Sequence, residues 1–330
     1  MAGVKSASSA VSGILLVDKP AGFTSHDAVA RTRRLAGTRK VGHAGTLDPM
    51  ATGLLVLGVN SSTRLLTFVV GLDKEYLATV RLGAATTTDD AEGELLDAAD
   101  PTRVRALTEE SIGEAFAAQR GTIVQVPSSV SAIKVDGKRA YARVRAGEDV
   151  VLDGRTVTIS EIELLGGPRP VSDASGEFVD IDVRVVCSSG TYIRAIARDV
   201  GALLGVGGHL TALRRTRIGP FGLADTHTLD ELADSAETGA ALPLLTPASV
   251  AGRLFPVLEV DTDAAAALGH GQRIDVAASP ALTADGESGP VAAITGDGRL
   301  VGLVAVTKGR GKSIVNFPPD EYAPPAGATP

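Results

Sequence analysis

The sequence has no tryptophan, a single cysteine, and aromatic residues at only 3%. So few rings cannot build the broad stacking platform with which proteins hold unpaired nucleic acid strands. One cysteine, Cys187, excludes an internal disulfide framework and any zinc cage made of thiolates. The five histidines, at positions 26, 43, 209, 227 and 270, lie too far apart for a metal-ligand spacing, so neither a metal nor a cofactor is expected. Long apolar runs are also missing. The N-terminus offers one Lys and the short stretch Ile14 to Val17, too brief for a secretion signal, and nothing reaches the length of a membrane span. The reading is a soluble, cytoplasmic chain with no membrane contact. There is no phosphate-binding P-loop and no Gly-x-Ser-x-Gly elbow. In Gly205-Val-Gly-Gly-His-Leu, Leu210 stands where the third glycine of a dinucleotide fingerprint belongs, and no strand is expected before it.

What is present is 330 residues with 44% hydrophobic and 22% charged, a globular composition long enough for two domains. Lys and Arg number 32 against 39 Asp and Glu, a net charge of −7. Averaged over the chain, that argues against a polyanionic partner. The cations, however, cluster: five basic residues and no acid in 31–40, a second group in 134–145, and Arg214, Arg215 and Arg217. These clusters read either as solvated helix faces or as pieces of one positive surface for nucleic acid. The acids gather elsewhere, at Asp89, Asp90, Glu92, Glu94 and Asp97, and again around 225–237.

Residues 1–12 are Ser, Ala and Gly without periodicity, and residues 318–330 are rich in proline; both are expected to be disordered tails. Between them, strand-length apolar runs alternate with helical patterns. Strands are expected at Gly13–Val17, Leu54–Val59, Tyr76–Leu82, Thr122–Val126, and as an antiparallel pair at Arg155–Leu165 and Phe178–Val186 joined by a loop over 166–177. Helices are expected from Ser25, as cap, to Leu35, over Ser111–Gln119, and over Thr191–Leu204. Without a regular βαβ rhythm, the class is α+β with a mixed sheet. Prolines 243, 247 and 256 mark a boundary, so that a catalytic-sized domain over 13–245 precedes a small β-rich domain over 253–317. Within the latter, Val291–Ile294 and Leu300–Val306 flank Thr-Gly-Asp-Gly as a hairpin.

One segment, Gly42-His-Ala-Gly-Thr-Leu-Asp-Pro-Met-Ala-Thr-Gly53, sets a single acid among glycines just before an apolar strand. Pro49 biases Asp48 toward extended backbone, and the glycines allow close approach of a ligand or another strand. Such a loop mounts a nucleophilic carboxylate, or forms an ordinary Asx-turn; the spacing alone leaves both open. Further segments are Lys19-Pro-Ala-Gly-Phe-Thr-Ser25, Lys74-Glu-Tyr76 and Cys187-Ser-Ser-Gly-Thr-Tyr-Ile-Arg194, which runs from a strand into the most regular helix.

In order, DKPAGFTSH (18–26), RKVGHAGTLDPMATGLL (39–55), DKEY (73–76), VPSSVSAIKVDGKRAY (126–141), CSSGTYIRAIARDVG (187–201) and GGHLTALRRTRIG (207–219) resemble the TruB-type pseudouridine synthases, stand-alone bacterial enzymes that isomerise uridine 55 in the tRNA T arm. The resemblance spans about residues 13–235, and beyond it the chain is similar to that family's small PUA-like RNA-binding domain. It implies the pseudouridine-synthase fold, with a mixed, largely antiparallel sheet flanked by helices. It makes Asp48 the catalytic carboxylate, Arg194 its pairing arginine and Tyr76 the aromatic that packs on the flipped uracil. His43 becomes the wedge left in the RNA loop, Tyr192 and Leu213 pocket residues, and Lys19 with Pro20 the brace of the catalytic loop, counted with the substrate-binding set. Arg31, Arg33, Arg34, Arg39, Lys40, Lys134, Arg214 and Arg215 are the candidates for RNA backbone contacts. The implied partner is tRNA, met by a monomer with no obligate protein partner. Two other readings share the fold: a non-catalytic RNA-folding protein, and an RNA-guided relative acting on other RNAs.

Overall fold

A computed structural model describes residues 11–128, 134–135, 138–139, 153–277 and 288–319. The chain divides into two compact units. The first takes in Met1–Leu47, Leu55–Val70 and Ala224–Pro330; the second takes in Asp48–Leu54 and Gly71–Leu223.

The second unit is built on a mixed sheet. Strand Gly208–Ile218 runs parallel to Thr52 and Gly53 on one side and antiparallel to Lys74–Leu82 on the other. Gly176–Cys187, Arg155–Leu164 and Gly121–Gln125 follow, each antiparallel to its neighbour. Alternation along Lys74–Leu82 decides the faces. Lys74, Tyr76, Ala78, Val80 and Leu82 are buried, whereas Glu75, Leu77, Thr79 and Arg81 are partly open to solvent. Helix Ile193–Leu204 packs on the Gly208–Ile218 and Lys74–Leu82 strands through Ile193, Ile196, Ala197 and Val200. It approaches so closely that a Cβ on Gly201 would sit 2.2 Å from the carbonyl carbon of Gly207. The open face carries cross-strand ion pairs: Arg81 with Asp180 at 2.8 Å, and Arg184 with Glu75, Glu161 and Glu163 at 2.7–3.1 Å.

Two strands of this sheet run where none was expected. The stretch 166–177 is not a loop: Arg169–Asp173 forms a strand antiparallel to the start of Gly176–Cys187. Its Pro170 argues against a central strand but is tolerated at a sheet edge, which is where this strand lies. The 11-residue strand Gly208–Ile218 was not expected, because irregularities at Leu210/Ala212 and Arg215/Arg217 break its alternation.

In the first unit, strand Gly13–Lys19 lies parallel to His227–Thr228, and Val41–His43 pairs antiparallel with Leu57–Val59. Leu15, Val17, Ala28, Val29, Val41, Leu55, Leu57, Leu229 and Leu232 form its core. Helix Ser25–Leu35 is capped by Thr24, not by Ser25. The Thr24 hydroxyl accepts from Asp27 N at 3.1 Å, and Thr24 N donates to Asp27 Oδ2 at 2.8 Å. The tail expected over residues 1–12 stops short of its end, since Ser12 is buried and its Oγ accepts from Ser61 N. Toward the C-terminus, Val257–Val260, Ser288–Thr295, Leu300–Thr307, Arg310–Asn316 and Ile274–Asp275 make a separate five-stranded sheet around Val260, Leu268, Val291, Val301 and Val304. The expected hairpin is its centre, antiparallel from Val291↔Val304 to Ile294↔Leu300.

Cys187 ends its strand opposite Lys74 and is 2% exposed. Burial pushes its thiol up to about 11, so the reactive thiolate is absent at neutral pH. Iodoacetamide at about pH 8 is therefore expected to leave the folded protein unmodified and to add one adduct after denaturation, read by intact mass. Rapid labelling of the native protein would contradict this placement.

Candidate active site

Asp48 sits where the Gly-rich loop turns into strand Thr52–Val59. Its backbone carbonyl accepts from Ala51 N at 3.1 Å, closing a tight turn over Pro49. The preceding residue is held in the first unit: Leu47 N donates to Ser25 Oγ at 2.8 Å and Ser25 Oγ donates to Leu47 O at 3.2 Å. A buried serine hydroxyl thus takes the place of a strand partner and fixes the backbone entering Asp48.

The Asp48 side chain is 35% exposed, open enough to meet a substrate, and its Oδ2 lies 3.0 Å from Arg194 Nε. Arg194 projects from the first turn of helix Ile193–Leu204 and is 4% exposed. A second nitrogen is held from behind: Nη1 donates to Thr88 O at 2.7 Å and lies 3.4 Å from Asp90 Oδ2. Asp90 is itself fixed, accepting at Oδ1 from Glu92 N at 3.0 Å and from the Thr88 hydroxyl at 2.5 Å. One buried guanidinium therefore sits between an accessible and an inaccessible carboxylate, aimed by the second at the first. Asp90 was legible only as one acid of an acidic loop; the fold alone brings it to Arg194.

Tyr76 stands on the same face of the sheet as its cross-strand partner Arg215, to whose guanidinium its hydroxyl is hydrogen-bonded. Burial raises the Tyr76 hydroxyl above its ordinary value, and the Arg215 charge opposes that rise. The phenol stays neutral at physiological pH, so it presents an uncharged ring to whatever enters. Leu213 is buried on the strand beside it, opposite Ala78, and Tyr192 is the residue before the helix that carries Arg194. His43 ends its short strand opposite Leu57, with its ring edge-on to His26 at 5.8 Å.

Two candidates need correction because they are buried. Arg215 is 1% exposed and donates from Nε to Leu54 O at 2.8 Å, so it is a tie between strands and not an RNA contact. The strands lie so close there that a Cβ on Gly53, at φ +101°, would fall 2.2 Å from Arg215 O. Lys19 is fully buried, and its ammonium donates to Pro20 O and Phe23 O at 2.9 and 2.7 Å. That makes it the brace of a turn and removes it from the substrate-binding set. Arg31 is paired with Asp230 at 2.8 Å. Arg33, Arg34, Arg39 and Lys40 are exposed, with Arg33 also donating to Val41 O, and Arg214 is partly buried beside Thr52. The Lys134 side chain and most of the 134–145 cluster lie outside the described residues.

A family model described as TruB family pseudouridylate synthase (N terminal domain) matches residues 33–193. Models described as tRNA pseudouridylate synthase B C-terminal domain and tRNA Pseudouridine synthase II, C terminal, match residues 194–247 and 255–318. The chain is 59% identical over 313 residues to tRNA pseudouridine synthase B of Leifsonia xyli subsp. xyli (strain CTCB07), covering 94% of this chain and 98% of that one. It is 51% identical over 305 residues to tRNA pseudouridine synthase B of Thermobifida fusca (strain YX), covering 92% and 98%. Among solved structures, a chain of a Cbf5-Nop10-Gar1 complex matches with a TM-score of 0.65 at 26% identity, covering 93% of this chain and 84% of that one. A chain of an H/ACA RNP bound to a substrate RNA shares the fold, with a TM-score of 0.66 at 24% identity and coverage of 94% and 87%.

The family model and the high-identity relatives make this an isomerase of the pseudouridine synthase class, and the mixed sheet is that class's fold. Within that class, the chain belongs to the TruB family of pseudouridylate synthases.

Proposed function

We propose that this chain isomerises uridine 55 in the T-arm loop of tRNA to pseudouridine, acting alone on the RNA. The observation that carries the reading is the Asp48–Arg194 pair, an accessible carboxylate with a buried counter-charge, beside the neutral ring of Tyr76. The reaction breaks the bond from N1 to C1′, turns the base and joins C5 to C1′; C5 loses a proton and N1 ends with one, so no electrons are exchanged with an external partner. That chemistry asks for a positioned carboxylate, and Asp48 supplies it. Carrying charge at a half-buried site is unfavourable without compensation, and Arg194 provides the compensation. The target uridine leaves its stack at a cost of about a few kcal/mol, offset by packing on Tyr76 and by His43 filling the gap it leaves. Exposed Arg33, Arg34, Arg39 and Lys40 give the phosphate backbone a positive face despite the net charge of −7.

Residues 13–245 carry the chemistry in this proposal, and residues 253–317 add RNA affinity as a PUA-like domain, a division supported by separate family models on either side of residues 248–254. The stand-alone assignment, and with it work in the cytoplasm, rests on the likeness to relatives named as tRNA pseudouridine synthase B. Identity to these exceeds that to the Cbf5-Nop10-Gar1 chain by 59% to 26%.

Pseudouridine mapping of unmodified tRNA incubated with the purified protein and nothing else is expected to show one new pseudouridine, at position 55. No product would favour a non-catalytic RNA-folding protein with this fold. Product only when a guide RNA is added would favour the RNA-guided relatives.

A further inference from the structure

Gln125 ends strand Gly121–Gln125, in register with Arg155, and is 2% exposed. Both halves of its side-chain amide are spent on the backbone of one distant residue. Nε2 donates to Tyr192 O at 3.0 Å, and Tyr192 N donates to Gln125 Oε1 at 2.8 Å. The pattern copies the double bond of a hydrogen-bonded pair in an antiparallel ladder, with a side chain standing in for the second strand. The amide orientation follows from the partners, since a backbone N–H requires the oxygen and a carbonyl requires the NH2 group.

Tyr192 is the cap residue of the helix that carries Arg194. It is extended, at φ −103° and ψ 109°, and makes no side-chain cap bond to the helix. The first helical bond it accepts, from Ile196 N, is long at 3.4 Å, its carbonyl being shared with Gln125. A helix start leaves backbone donors unmet and tends to fray unless something outside the helix holds it. Here the holding group comes from the sheet, and the next residues of the same segment add to it. Val126 O accepts from Arg198 Nη2 at 2.8 Å, and Ser128 Oγ donates at 2.6 Å to Asp89, which also pairs with Arg198. Two residues after the clamp, the Arg194 guanidinium has to meet Asp48 at 3.0 Å.

We infer that Gln125 is a positioning residue for the reaction: its amide clamp on Tyr192 fixes the start of the helix so that Arg194 reaches Asp48. The inference rests on the reading of Asp48 and Arg194 as the working pair. It also explains the residue type. A side-chain amide carries its donor and its acceptor on two separate atoms, matching the N–H and C=O of one residue, whereas a Glu carboxylate would set oxygen against the Tyr192 carbonyl.

The test uses the full-length protein in single turnovers on a T-arm hairpin, with Gln125→Met, which loses both bonds, and the isosteric Gln125→Glu, which loses the donor only. The saturated rate is expected to fall about a hundredfold for Gln125→Met and about tenfold for Gln125→Glu, the scale of a catalytic group displaced by about 1 Å. Hairpin Kd should stay within about twofold, because Gln125 is itself buried and bonds only the backbone of Tyr192. In an Arg194→Lys background, Gln125→Glu should cost less than about twofold more, since the group it aims is gone. Equal losses in both backgrounds, or a raised Kd with an unchanged rate, would overturn the positioning role, and Gln125→Glu keeps the test open if Gln125→Met fails to fold. Should Arg194→Lys alone retain the full rate, the pair reading itself fails and the Gln125 proposal with it.

Discussion

Asp48→Asn is expected to abolish isomerisation while tRNA affinity stays within about a few-fold. The substitution keeps the size and shape of the side chain and removes only its charge, so the turn over Pro49 and the packing beneath it persist. In the proposed function, RNA binding draws on the phosphate backbone through exposed residues such as Arg34, Arg39 and Lys40, which the change does not touch. The nucleophilic capacity of the site is lost, because an amide neither attacks nor accepts the proton that a carboxylate accepts. Single-turnover assays with pseudouridine-specific readout, run beside filter binding, give both quantities. Measurable turnover by the Asn variant would remove Asp48 from its central role; a large loss of affinity would show that it serves mainly to hold the loop.

Arg194→Met should lower the single-turnover rate by about a hundred- to a few thousandfold, the equivalent of leaving a buried charge without its partner at roughly 3–5 kcal/mol. The size follows from the geometry. Arg194 is 4% exposed and lies 3.0 Å from Asp48 and 3.4 Å from Asp90, so its removal leaves two carboxylates facing one apolar side chain. Asp48 then has neither a counter-charge nor a group that orients it. Arg194→Lys restores part of the rate, because an ammonium supplies the charge but cannot reach Asp48 from one nitrogen while a second meets Asp90 and Thr88 O. Asp90→Asn should fall between wild type and Arg194→Met, since it loosens the guanidinium without discharging it. If Arg194→Met instead turned over at the wild-type rate, the arginine would be a packing residue of its helix and nothing more.

Much of the molecule could be read from residues alone where local rules decide. The period-3.6 stripe of Ile193, Ile196, Ala197, Val200, Leu203 and Leu204 predicts the helix, and the alternation of Arg155–Leu165 against Phe178–Val186 predicts a paired ladder; both are found, within a few residues at their ends, although Leu203 is exposed. The edge strand Arg169–Asp173 and the bulged strand Gly208–Ile218 escaped the same rules. A proline is a poor guide where only one edge is bonded, and a bulge shifts the alternation by one residue.

Composition and motif order by themselves determined that metal-thiolate chemistry and membrane spanning were poor readings, that Asp48 occupies a loop suited to a reactive carboxylate, and that the chain resembles a TruB-type synthase. They could not tell a surface arginine from a buried one. Arg214 and Arg215 are adjacent cations in the sequence, yet one lies beside Thr52 at the partly open face and the other is sealed against Tyr76 and Leu54. Successive residues of a strand point to opposite faces, and only the assembled sheet says which face is covered. The same holds for the partners of Arg194. Asp48 and Asp90 lie 146 and 104 positions away from it in number, and Gln125, which holds the start of its helix through Tyr192, lies 69 positions away. No local propensity links such distant segments; their meeting is set by the burial of the sheet face on which the helix packs, because apolar area is removed from water only in that arrangement.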